Sequence, residues 1–146
     1  NVETEDTAIV TLKFKNGALG IIEATTATRP TNLEGSISIL GENGTVVVGG
    51  VAVNEMQTWV FEDEQEGDSN VLEEFSVNPP NVYGFGHQAY YEHVVDCIKS
   101  GSANLVDGLQ GRKSIELISA IYESAETGKE VFLKFTPKYC RLGQKD

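Results

Sequence analysis

Asn16-Gly17 sits between two runs of alternating apolar residues, and no other feature constrains the chain as tightly. Asn-Gly is the strongest short hairpin signal, because both residues tolerate the positive φ of a type I′ turn. Before it, Ala8, Val10, Leu12 and Phe14 share one face at a period of two. After it, Leu19 to Thr26 reads as the return strand. Ile37, Ile39 and Leu40 mark a third strand, stopped by Gly41-Glu42-Asn43-Gly44, and Thr45 to Val48 a fourth. Gly49-Gly50 turns into a less regular strand ending at Trp59-Val60-Phe61. Val71, Glu73, Phe75 and Val77 alternate as one more, and Val131 to Phe135 is expected to be the last.

Between these strands the period changes to that of a helix. From Gly86, spacings of three and four place His87, Tyr90, Tyr91, Val94, Cys97 and Ile98 on one stripe, with Gly101 as the stop. Asp107 and Gln110 resemble a capping box, opening a second helix whose stripe is Ile115, Ile118, Ile121, Tyr122 and Ala125. Gly128 stops it. Hairpins followed by helices predict an α+β domain over residues 5–136: an open, mostly antiparallel sheet of about six to seven strands with two helices packed on one face. The other face must meet solvent, a second domain or another subunit. Residues 137–146 read as a polar tail.

The chain of 146 residues is long enough for one domain with a core. Its net charge of -11 opposes binding to nucleic acid or anionic lipid, which needs a basic face. Asn1 to Asp6 is acidic and polar, without a signal-peptide pattern, and the expected location is cytoplasmic. Cys97 and Cys140 make neither a metal spacing nor a C-x-x-C pair; a disulfide between them and two reduced thiols are both open readings, and two isolated thiols in an acidic domain favour the second. The chain opens without Met and enters a strand almost at once, so it is expected to be part of something longer.

Gly84-x-Gly86-x-x-Ala89 matches one form of the dinucleotide-binding fingerprint. That fingerprint needs a buried parallel strand immediately before it, so that the helix N-terminus meets the pyrophosphate. Here Pro79-Pro80 precedes it, and the units before are hairpins rather than βαβ. The expected role of the glycines is to bend an extended loop into a helix, with Tyr90 and Tyr91 in the core. A free-standing dinucleotide-binding domain rests on this motif alone.

The order of motifs resembles the C-terminal domain of the Gfo/Idh/MocA oxidoreductases. The likeness lies in Asp6-Thr7-Ala8, Asn16-Gly17-Ala18-Leu19-Gly20, Ile22-Glu23-Ala24-Thr25-Thr26 and Gly41-Glu42-Asn43-Gly44-Thr45-Val46. It continues through Gly86-His87-x-x-Tyr90-Tyr91, Val106-Asp107-Gly108, Gly111-Arg112 and Ile121-Tyr122-Glu123-Ser124-Ala125-x-x-Gly128-Lys129. The resemblance implies NAD or NADP bound by an N-terminal Rossmann domain, and a sugar, cyclitol or nucleotide-sugar substrate held between that domain and this sheet. It also implies homo-oligomers built through the sheet face. The Thr25-Thr26-Ala27 stretch and the tyrosine-rich helix look most like the UDP-N-acetylglucosaminuronate dehydrogenase branch. The family's Glu-Lys-Pro and Asp-x-x-x-His segments do not occur in these residues. The chain alone is therefore expected to be catalytically silent, with no catalytic, cofactor-binding or metal-binding residue. A non-catalytic assembly module pairing through its open sheet is the alternative.

The candidate substrate-binding residues are Thr25, Thr26, Arg29, Tyr83 and His87. The first three end a strand before Pro30, where hydroxyls suit sugar hydroxyls and Arg offers a fork to carboxylate or phosphate. An ordinary edge strand with a solvated Arg is the competing reading. Tyr83 and His87 lie where a loop opens a helix, and His87 reads equally as a cap and as a ligand-facing ring. Trp59 is expected in the core or an interface, and residues 62–68 as a solvated acidic loop.

Overall fold

A computed structural model describes residues 4–31, 33–77, 79 and 83–133. Among these residues, five strands form two antiparallel sheets, and a short helical segment and two long helices follow them. The described residues divide into two compact units. One holds the base of the first hairpin and Glu23–Tyr91; the other holds Val10–Ile22 and the chain from Glu92 onward.

β1 (Thr7–Lys13) and β2 (Leu19–Thr25) form the expected hairpin, with Ala8, Val10, Leu12 and Ile22 half-buried. The turn is not type I′. Gly17 N–H donates to Phe14 O at 2.9 Å and Phe14 N–H to Ala18 O at 2.9 Å, which makes a three-residue loop. Only Gly17, at φ 91°, enters the left-handed region. Asn16 instead accepts Ala18 N–H on Oδ1 at 3.2 Å. Its side chain closes the turn without its backbone crossing to positive φ.

β3 (Ile37–Leu40), β4 (Gly44–Gly49) and β5 (Glu55–Phe61) form the second sheet in the order β3-β4-β5. Ile37 faces Val48, Leu40 faces Thr45, and Gly44 faces Phe61. β4 lies between two neighbours and is half-buried along its length, whereas all four residues of β3 are exposed. The β4–β5 connection closes through Asn54 N–H to Gly49 O at 2.9 Å, with Gly50 at φ 88° and Val53 at φ 54°.

Six to seven strands in one sheet were expected; five strands in two sheets are observed among the described residues. The alternating segment Val71, Glu73, Phe75, Val77 is not a strand. Asp68–Asn70 makes a 3₁₀ turn and α1 (Val71–Glu74) one α turn. Asp68 Oδ2 accepts Gln65 N–H at 2.7 Å, which turns the chain before the alternation can pair. The segment then reaches the sheet only through an isolated bridge: Ser76 pairs with Glu55, its Oγ donates to Met56 O at 3.1 Å, and Phe75 O accepts Met56 N–H at 3.3 Å. Val131–Leu133 is not strand; residues 134–146, including the rest of that expected strand and the tail, lie outside the described residues.

α2 (Gly86–Ser100) stops at Gly101, whose φ is 69°. α3 (Gly108–Thr127) is capped by Asp107, whose Oδ1 accepts Gln110 N–H at 2.9 Å, and ends at left-handed Gly128. The capping box is half-made. Gln110 Oε1 accepts from Lys113 Nζ at 2.6 Å.

The shielded faces differ from the expected stripes. On α2, Val94 is half-buried and Cys97 is 7% exposed, while Tyr90 and Tyr91 are 42% and 64% exposed. The tyrosines tilt against each other, centroids 6.1 Å apart, instead of entering a core. On α3 the half-buried residues are Leu109, Glu116, Leu117, Ala120, Ile121 and Ser124. Ile115, Ile118 and Tyr122 are exposed, so α3 is apolar on two sides and only Ile121 is common to both sets.

Candidate functional site

The end of β2 runs into a loop that holds itself together with polar contacts. Thr26 N–H donates to Asp6 O at 2.8 Å, closing the base of the hairpin. Thr7 Oγ1 donates to Asp6 Oδ1 at 3.0 Å and lies 2.9 Å from Thr25 Oγ1. A hydroxyl has one proton. Since Thr7 gives its proton to Asp6, Thr25 donates to Thr7. Thr25 Oγ1 also accepts Ala27 N–H at 3.0 Å. The Thr25 hydroxyl is therefore committed to holding the loop, while among the described residues the Thr26 hydroxyl makes no hydrogen bond.

Arg29 folds back over the same loop. Its Nη1 donates to Thr26 O at 3.0 Å and to Thr28 O at 2.7 Å. The Arg29–Pro30 peptide bond is cis. A guanidinium carries five N–H donors. The two on Nη1 brace the loop, which leaves those on Nε and Nη2.

Tyr83 and His87 form a second group. His87 Nδ1 lies 3.0 Å from Tyr83 O. A carbonyl only accepts, so Nδ1 carries the proton, and in the neutral ring Nε2 is the acceptor. The two rings meet edge to face at 6.2 Å and 80°. Gly84, at φ 68°, lets the chain turn between them before α2 begins at Gly86. Both residues are exposed, as are Thr25, Thr26 and Arg29. The structure joins the first three candidates in one loop and the last two in another; the bonds of Arg29 run to Thr26 and Thr28, and that of His87 to Tyr83.

Trp59 is half-buried. Its ring meets Phe61 edge-on at 5.0 Å, and Nε1 donates to Asp68 Oδ1 at 2.9 Å. Asp68 thus leaves the solvated acidic loop to which its sequence neighbours belong. The Gln65 N–H and the Trp59 indole hold its carboxyl below the usual carboxylate range.

His93 was missed. Its Nε2 accepts Leu105 N–H at 3.1 Å and lies 3.5 Å from Cys97 Sγ, which donates to Ala103 O at 3.4 Å. These contacts fasten the α2–α3 connection. The signal was present: His93 and Cys97 are four apart on one helix. Among the described residues, no group of three or more His, Cys, Asp or Glu is placed to hold a metal ion. No described helix is long and apolar enough to cross a membrane.

Solved structures similar to the chain include two dehydrogenases. It is 45% identical to the WlbA dehydrogenase from Bordetella pertussis, in complex with NADH and UDP-GlcNAcA, with a TM-score of 0.80 over 88% of this chain and 37% of that one. It is 44% identical to the WlbA dehydrogenase from Chromobacterium violaceum, also in complex with NADH and UDP-GlcNAcA, with a TM-score of 0.76 over 88% of this chain and 35% of that one. The chain thus spans little more than a third of either neighbour. A search of curated proteins finds no match. The model of the oxidoreductase family's C-terminal alpha/beta domain matches residues 1–133, and the chain belongs to that family.

Proposed function

We propose that residues 5–136 form the substrate-side domain of an NAD-dependent nucleotide-sugar dehydrogenase. The observation that carries this is the 45% identity, over 88% of the chain, to a dehydrogenase in complex with NADH and UDP-GlcNAcA. Hydride transfer needs a bound nicotinamide and a group that moves the hydroxyl proton. This reading assigns both to another part of the protein, an N-terminal Rossmann domain, and makes the 146-residue chain silent alone. Thr26, Arg29, Tyr83 and His87 border the substrate, and Thr25 shapes the loop that presents Arg29. The protein works in the cytoplasm as a homo-oligomer.

The test is reduction of NAD by full-length protein supplied with UDP-GlcNAcA, with the isolated chain run in parallel. Turnover by the first and none by the second is expected. Turnover by the isolated chain overturns its silence, and a full-length protein that binds neither molecule overturns the function.

A non-catalytic assembly module is the second reading, favoured by the outer strand β3, where Ile37, Ile39 and Leu40 are 55%, 60% and 80% exposed. It expects self-association in light scattering without any NAD chemistry.

A further inference from the structure

We infer that Arg29 reads an oxyanion of the substrate through its Nε–Nη2 edge, while its Nη1 edge serves only to aim it. This rests on the nucleotide-sugar reading above and says which atoms give that site its preference for an acidic ligand.

The geometry carries the inference in three steps. First, Nη1 is occupied twice, by Thr26 O at 3.0 Å and Thr28 O at 2.7 Å. The guanidinium is thereby tied to the backbone that carries it, although Arg29 is exposed. An unbraced surface arginine loses much of its gain from an ion pair to side-chain entropy, and this bracing makes that loss in advance. Second, three donors remain, Nε–H and the two on Nη2, and Nε–H with the adjacent Nη2–H forms a parallel pair. That pair matches two oxygens of one carboxylate or phosphate, and among the described residues nothing else bonds to it. Third, the loop under Arg29 is fixed independently. Thr25 accepts Ala27 N–H and donates to Thr7, and Thr26 N–H closes on Asp6 O. The neighbouring Thr26 hydroxyl is left to a ligand.

A nucleotide sugar acid offers two oxyanions, its carboxylate and its diphosphate, and one experiment separates them. Full-length wild type, Arg29→Gln and Arg29→Lys are titrated by calorimetry with UDP-GlcNAcA, with the counterpart carrying CH₂OH in place of the carboxylate, and with UDP. Loss of a charge-assisted fork corresponds to about 10- to 100-fold weaker binding. Arg29→Gln is expected to lose that much for UDP-GlcNAcA. Loss confined to UDP-GlcNAcA assigns the carboxylate; equal loss for all three assigns the diphosphate. Either outcome supports the inference. Arg29→Gln with wild-type affinity for all three overturns it and leaves the function standing. Wild type that binds none of the three removes the function and the inference together. Where circular dichroism finds Arg29→Gln unfolded, Arg29→Lys decides. Lysine keeps the charge but cannot brace and bridge at once, so wild-type affinity in that variant also overturns the inference.

Discussion

Trp59 and Asp68 are joined by an indole N–H to carboxylate bond of 2.9 Å that ties β5 to the helical turn after it. The other carboxylate oxygen accepts Gln65 N–H, so one side chain closes the loop between them. Its carboxyl is held below the ordinary value, so its contribution to stability is present above the unfolded-state pKa of about 4. It is lost as pH falls through the lower folded value. Urea unfolding of wild type and Asp68→Ala, followed by the chain's single tryptophan, should give a wild-type advantage at pH 7 that shrinks below pH ~4. An advantage that grows on acidification contradicts the assignment.

Gly44 admits no side chain. A Cβ there would lie 2.7 Å from Val60 O and collide with the Phe61 ring. Gly44→Ala is expected to cost about 1–3 kcal/mol by overpacking. Adding Phe61→Leu should recover only part of that, because the carbonyl remains. Full recovery would locate the conflict in the ring alone.

Val53 is a β-branched residue at φ 54°, a conformation that costs an L-residue roughly 1–2 kcal/mol. Asn tolerates that region without the entropy that Gly adds to the unfolded chain. Val53→Asn is therefore expected to raise stability by up to about 1 kcal/mol. A lower denaturation midpoint would mean that the Val53 methyl, which lies 3.1 Å from where a Cβ on Gly35 would stand, contributes more by packing than the backbone loses.

His93 shields Cys97 by fastening the connection beside it. His93→Ala leaves Leu105 N–H without its acceptor, a loss of about 1 kcal/mol, or roughly fivefold in local opening. In a Cys140→Ser background, Cys97 should react with a thiol reagent faster by about that factor. An unchanged rate would show that packing, not the His93 bond, excludes the reagent.

Features set by a few neighbouring residues were legible in the sequence. The Asn16-Gly17 hairpin, the Asp107 cap and the stops at Gly101 and Gly128 each depend on local backbone chemistry. Asn16 still misled on turn type, because its side-chain oxygen took a hydrogen bond that positive φ would otherwise have provided. The alternation from Val71 to Val77 failed because Asp68, three residues earlier, starts a helical turn through bonds to Trp59 and Gln65. On α3 the period was right and the face wrong. With apolar residues at Leu109 and Leu117 as well as at Ile115, Ile118 and Tyr122, periodicity alone does not say which side is covered. Of the candidate site, the sequence named Thr25, Thr26, Arg29, Tyr83 and His87 alike, and only the geometry separates Thr25, whose hydroxyl is committed to its own loop, from Thr26 and Arg29, which have donors to offer.

β3 presents Ile37-Ser38-Ile39-Leu40 on an outer strand, exposed throughout, with one neighbouring strand among the described residues. A bare strand edge of this composition recruits other strands indiscriminately. Its defences are brevity and the charges of Glu34 and Glu42 on either side. For a ribosome releasing this segment, the hazard is measured in time: each second that the edge stays bare is one in which the wrong chain can pair with it.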